Sequence, residues 1–257
     1  MGNLLSLKNL RVQFSADPAV EKADLEVRES EIVGLVGESG SGKTITTLAI
    51  TRILPPNARI ISGEAIFENI DLLKTKEAQL RKIRGAKIAY IFQEPAMYLN
   101  PILNIGSQVA ESVIVHRDKD KLSARDRAIE LLRGVAIPLP EQVFFDYPHQ
   151  LSGGMNQRVM IAQALASKPR LLIADEPTTN LDVDTENEIL ELILSLQGEI
   201  GFSCIFITHN FGLVKRLCQR VYVMHKGLIV ESGDLAEIFD NPKHEHTQAL
   251  VRAHARI

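Results

Sequence analysis

Four stretches of the chain are apolar with almost no polar interruption: Glu31-Ile32-Val33-Gly34-Leu35-Val36, Ile88-Ala89-Tyr90-Ile91-Phe92, Leu171-Leu172-Ile173-Ala174 and Cys204-Ile205-Phe206-Ile207. A strand without alternation is covered on both faces, which is the situation of parallel strands between helical layers. Between these runs the apolar spacing becomes helical over residues 43–53, 159–167 and 185–196. Strand alternating with helix predicts a doubly wound α/β core. Residues 7–14, 23–27 and 64–67 are shorter and partly alternating, and predict an antiparallel sheet beside that core. Residues 100–150 read as helical, with Ser123 and Asp126 offering a capped start for a helix over 125–134. Val221-Tyr222-Val223-Met224 and Leu228-Ile229-Val230 flank His225-Lys226-Gly227 and predict a closing hairpin. No internal repeat or low-complexity linker breaks the chain, so its 257 residues predict one domain with lobes.

Charge changes this picture little. The chain holds 29 basic and 32 acidic residues, a net charge of −3, with no basic block of the kind nucleic acid requires. No apolar run approaches the roughly 18–20 residues of a membrane helix, and residues 1–10 lack a secretion signal, which predicts a cytoplasmic chain. Cys204 and Cys218 have no C-x-x-C spacing and read as buried free thiols. His244, His246 and His254 near the end have irregular spacing, and no carboxylate or thiol set converges on them in the sequence, which speaks against a metal site there.

Three motifs carry chemistry. Gly37-Glu38-Ser39-Gly40-Ser41-Gly42-Lys43-Thr44 fits G-x-x-x-x-G-K-[ST] between a strand and a helix. Its glycines let backbone N–H groups approach phosphates, Lys43 reaches the outer two, and the Thr44 hydroxyl ligates Mg²⁺; the helix adds its N-terminal dipole. Nucleoside triphosphate binding follows. Asp175 and Glu176 end an apolar strand and point to opposite sides, so they cannot share one task. Asp175 suits the outer shell of Mg²⁺ and Glu176 the polarisation of an attacking water, although an acid pair closing a strand is also an ordinary surface feature. Ser152-Gly153-Gly154 precedes a helical pattern: Ser152 can cap it, and the glycines allow a second phosphate to approach or simply make a turn.

With Gln93 after a strand, Leu151-Ser152-Gly153-Gly154-Met155, Asn180-Leu181-Asp182 and His209 after another strand, the set resembles the ATP-binding cassette ATPases over essentially the whole chain. The resemblance implies a P-loop NTPase (RecA-like) α/β core with an antiparallel β subdomain and an inserted α-helical signature subdomain. It places the core with its β subdomain at about 1–99 and 168–257, and the helical part at about 100–167. It also implies two ATP and Mg²⁺ sites at a head-to-tail dimer interface, where the signature of one subunit closes on the γ-phosphate held by the other. Carried over, ATP is held by Gly37, Glu38, Ser39, Gly40, Ser41, Gly42, Lys43, Thr44, Thr46, Gln93, Asp175 and His209, and in trans by Ser152, Gly153, Gly154 and Asp182. Phe14 stacks on adenine. Mg²⁺ falls to Thr44, Gln93 and, through water, Asp175. Catalysis falls to Glu176, His209, Lys43 and Gln93: Gln93 senses the transport partner, Asp182 bridges the two sites, and His209 holds the γ-phosphate and orients Glu176.

Arg84-Gly85, residues 92–101, Tyr147-Pro148-His149-Gln150 and Asn241-Pro242-Lys243-His244 further resemble the D-type ATPase of peptide and nickel importers. The chain departs from that pattern at Ser30, Glu94, Ala96-Met97-Tyr98, Asn180 and Asn210, none of which removes a catalytic group. It has no cysteine after Cys218, which implies none of the iron–sulfur centre that peptide-importing relatives often carry in a longer tail. The implied partners are a second ATPase subunit (a non-identical paralogue or a second copy), two membrane-spanning permeases and, indirectly, a substrate-binding protein, at the cytoplasmic side of the inner membrane and without nucleic acid. The competing expectations are a cassette ATPase of DNA repair or translation, whose relatives usually carry a coiled-coil insertion or tandem cassettes, and a regulatory subunit with a dead site.

Overall fold

A computed structural model describes residues 2–15, 17–116 and 121–254. The chain forms two compact units, one of residues 1–81 with 203–257 and one of residues 82–202. The strands in chain order are β1 Asn3–Phe14, β2 Asp17–Arg28, β3 Ile32–Val36, β4 Ala58–Phe67, β5 Ile70–Asp71, β6 Ile88–Ile91, β7 Leu171–Asp175, β8 Ser203–Thr208, β9 Arg220–His225 and β10 Leu228–Asp234.

In the first unit the strands run in the order β5-β4-β1-β2-β10-β9-β3-β8. One end, β5 to β2, is antiparallel; at the other end β3 pairs in parallel with both β8 and β9. Every residue of β3 and β8 is buried, as the apolar runs 32–36 and 204–207 predict. β1 and β2 are 12 residues each, longer than the alternation suggests. Repeated register shifts between them move side chains from one face to the other, so strict alternation is lost although pairing continues. Lys226 and Gly227, at φ 44° and 78°, close the β9–β10 hairpin as a two-residue turn whose double positive φ matches strand twist. A bidentate ion pair ties this unit together: Arg220 Nε meets Glu31 Oε1 at 2.5 Å and Nη2 meets Oε2 at 3.0 Å, while Nη2 also donates to the Glu26 carbonyl. Burial alone would raise the Glu31 pKa; the Arg220 hydrogen bond and the Arg28 amide more than reverse this and leave it lowered.

The second unit pairs β6 with β7 in parallel, Ile88 opposite Leu171 through Ile91 opposite Ala174. Its longer helices are Ile105–His116, Lys121–Gly134, Gly153–Leu165 and Val183–Ile200. Val113, Ala124 and Ala166 form part of its packed interior. The Lys121–Gly134 helix begins ahead of Ser123, so Ser123 lies inside the first turn rather than capping a helix at 125. Cys204 and Cys218 are both buried and unlinked, and burial pushes the Cys218 thiol well up. Among the described residues, no helix is long and apolar enough to cross a membrane.

Candidate nucleotide site

The phosphate loop, 37–44, belongs to the first unit. It leaves β3 and enters the helix Lys43–Ile50 through Gly42, whose φ of 107° closes the turn without a side-chain cap. A Cβ on Gly37 would stand 2.1 Å from the Met224 carbonyl oxygen, and one on Gly42 2.5 Å from that of Ala19. Both approaches require glycine. The loop is fastened from below: Gly227 N–H donates to the Ser41 carbonyl at 2.9 Å, and the Gly227 carbonyl accepts from Glu21 N–H at 2.8 Å. Lys43 is 5% exposed, and its Nζ donates to the Gly37 carbonyl at 2.8 Å and the Glu38 carbonyl at 2.9 Å. Its ammonium is thereby held across the loop, while Glu38, Ser39, Gly40 and Thr44 are exposed around it.

Thr46, which the resemblance assigns to ATP, faces inward. It is fully buried, with its hydroxyl and its N–H both donating to the Gly42 carbonyl at 2.9 Å. Its polar atoms are spent on the turn, so it supports the loop from within. Phe14 is half-buried at the end of β1, facing Asp17 on β2 and Ala58 on β4. His209 follows β8 and is exposed.

In the second unit, Asp175 ends β7 and is 8% exposed, whereas Glu176 is half-buried in left-handed backbone at φ 46°. That conformation costs a non-glycine residue on the order of 1 kcal/mol. Glu176 Oε2 accepts from the Thr179 hydroxyl at 3.0 Å and from Gln93 Nε2 at 3.4 Å. Gln93 is exposed just beyond β6, where Phe92 stacks on Tyr98 with ring centres 4.0 Å apart. Burial raises the Tyr98 pKa, helped by the negative charges of Asp175 and Glu94.

Ser152 caps the Gly153–Leu165 helix by accepting from Met155 N–H at 3.3 Å. Both Ser152 and Gly153 are exposed, and Asn156 Nδ2 pins the turn by donating to the Pro148 carbonyl at 2.9 Å. The two glycines differ. A Cβ on Gly154 would lie 2.6 Å from Thr185 Cγ2, while one on Gly153 would meet only Leu181 at 3.7 Å. Asp182 caps the helix Val183–Ile200, accepting from Thr185 N–H at 2.9 Å and from its hydroxyl at 2.7 Å, and these bonds hold its pKa low. Thr185 therefore stands between signature helix and Asp182. Thr179 and Thr185 carry no motif of their own. The repeated hydroxyls of Thr178-Thr179 after Glu176 were the available signal for the first, and the cap spacing Asp182-x-x-Thr185 for the second.

The model of the ABC transporter family matches residues 20–179. The chain is 44% identical over 255 residues to the probable peptide ABC transporter ATP-binding protein y4tR of Sinorhizobium fredii, covering 97% of this chain and 76% of that protein. It is 46% identical over 254 residues to the dipeptide transport ATP-binding protein DppD of Haemophilus influenzae, covering 97% and 77%. Among solved structures it resembles a dimeric, post-hydrolysis state of the cassette MJ0796 bound to ADP and Pi, with a TM-score of 0.79, 30% identity and 90% and 98% of the two chains covered. It also resembles cbiO1 of Clostridium perfringens, part of the complex cbiONQ, with a TM-score of 0.79, 27% identity and 94% and 92% covered. These matches agree with the phosphate loop and strand-end acids described above: the chain belongs to the ABC transporter family, as one of its ATP-binding, ATP-hydrolysing cassettes.

Proposed function

We propose that this cassette energises the uptake of small peptides, closing head-to-tail with a second cassette when ATP binds and parting from it after hydrolysis. The names of its relatives support the cargo class; nickel rests on the sequence resemblance alone, and repair or translation is not favoured by relatives named for peptide and dipeptide transport. The observation that carries the catalytic reading is the tethering of Glu176 to Thr179 and Gln93 at the end of β7. A carboxylate held by two donors has its rotamer fixed before substrate arrives, which is what directing a water in line requires.

In this reading Lys43 leaves the Gly37 and Glu38 carbonyls for the outer phosphates, and the loop amides accept the remaining charge. The exposed Thr44 hydroxyl, the Gln93 amide oxygen and the Asp175 carboxylate are hard oxygen donors and fit Mg²⁺. Mg²⁺ supplies charge neutralisation on the transferring phosphoryl group. Gln93 gives its amide nitrogen to Glu176, so its oxygen is the atom it offers elsewhere. His209 holds the γ-phosphate and orients Glu176. Phe14 stacks on adenine. Ser152 and Gly153 meet the partner's γ-phosphate, and Asp182 bridges the two sites. The cassette works with two membrane permeases and a capture protein, at the cytoplasmic side of the membrane.

Glu176→Gln is the direct test. ATP affinity should change less than about threefold, while phosphate release by the assembled transporter falls at least about 100-fold. Turnover above a tenth of normal would assign the water to another group.

A further inference from the structure

One tail histidine, His246, meets a carboxylate in tertiary space. Glu38 of the phosphate loop, His225 at the end of β9 and His246 in the helix Glu245–His254 each present one ligand atom, and the three atoms lie within 4.8 Å of one another. The imidazole centres are 3.7 Å apart, tilted by 32°. His246 Nε2 is buried with no hydrogen-bond partner among the described residues. Such an atom carries an unmet desolvation cost that a ligand bond would relieve.

We propose that Glu38, His225 and His246 bind a divalent transition cation of the Zn²⁺ type, which fastens the C-terminal helix to the phosphate loop. Two imidazoles and one carboxylate suit Zn²⁺, Co²⁺ or Ni²⁺ and disfavour Mg²⁺, and a fourth position is left for water. Tetrahedral Zn²⁺ with bonds of about 2.1 Å needs ligand atoms about 3.4 Å apart, a closure within reach of side-chain rotation. The site is preorganised on two sides. His225 adjoins the Lys226-Gly227 turn that already bonds the Ser41 carbonyl, and the Glu231 carboxylate accepts from Lys243 N–H at 2.7 Å and His244 N–H at 2.9 Å, setting the helix that carries His246. The cation would add a third tie among loop, hairpin and tail. Because the Glu38 carbonyl also accepts from Lys43 Nζ, the loop that holds the lysine is the element so tied.

The inference goes beyond the ATPase reading and does not depend on it, so its test avoids turnover. Metal-stripped full-length chain is titrated with Zn²⁺ against a chromophoric chelator. One equivalent should bind, at least about tenfold more weakly in His246→Ala and in Glu38→Gln, the latter an exposed change that leaves packing intact. His149→Ala should bind as the parent does, and excess Mg²⁺ should not compete. Hydrogen exchange should slow on Zn²⁺ addition in residues 37–44 and 244–250 together. Equal binding by parent, Glu38→Gln and His246→Ala, or slowing confined to other segments, would overturn the site.

Discussion

The phosphate loop and the signature turn are both glycine-rich entries into a helix, yet they are finished to different degrees. In the loop, intrachain contacts dictate the glycines: Gly37 and Gly42 face carbonyl oxygens too near for a side chain, and Lys43 has both loop carbonyls as partners. In the signature turn only Gly154 is so constrained. Ser152 and Gly153 are exposed, and among the described residues nothing demands a glycine at 153. The loop is thus a closed device that this chain builds and fills by itself. The turn is open on one side, which the proposed function reads as the face that meets a second cassette.

That contrast can be broken experimentally. The largest effect belongs to Ser152: in a mixed dimer carrying Ser152→Ala on one subunit, hydrolysis at the site containing the other subunit's Lys43 should fall about 100-fold, as for loss of one preorganised donor. Failure of the same-chain site instead would reverse the assignment of open and closed. Next come the glycines. Gly42→Ala should destabilise the fold by about 2–4 kcal/mol, from left-handed backbone and a backbone clash, and abolish measurable ATP binding. Gly154→Ala should cost about 1–3 kcal/mol against Thr185. Gly153→Ala should leave chemical stability within about 0.5 kcal/mol while lowering turnover of the dimer. Unchanged turnover there would mean the open side of the turn is not used.

A change away from both turns separates site from scaffold. Arg220→Ala leaves the Glu31 carboxylate buried without its bidentate partner and should cost about 2–4 kcal/mol without touching the phosphate loop. Because Glu31 titrates lower in the folded than in the unfolded chain, its stabilisation is complete above its ordinary value of 4.5 and is lost as pH falls through the lowered one. Glu31→Gln should therefore flatten the acid limb of a stability-versus-pH curve measured by chemical denaturation. An unchanged limb would place the acid sensitivity elsewhere.

Much of this was legible one residue at a time. The runs that become β3, β6, β7 and β8 are apolar because both faces are covered, and a linear pattern records burial directly. Residues 37–44 form the loop their spacing announces, and Ser152 is the cap it was expected to be. Thr46 shows what adjacency to a motif leaves open: it says nothing about which way a helical side chain points, and this one points inward to Gly42. Ser123 looked like a cap because capping chemistry is local, whereas where a helix begins also depends on what it packs against.

Sequence by itself determined the chemistry available here: a triphosphate loop, a pair of strand-end acids, a capped glycine turn and a membership in one family of ATPases. Tertiary structure alone decided which groups restrain which. It set Thr179 and Gln93 on Glu176, placed Thr185 between Gly154 and Asp182, and brought Glu38 to His225 and His246. The reason is range. Backbone geometry and burial imprint a period on neighbouring residues, but the meeting of residues 38, 225 and 246 depends on strand order and on where a hairpin turn lands, which no local pattern encodes.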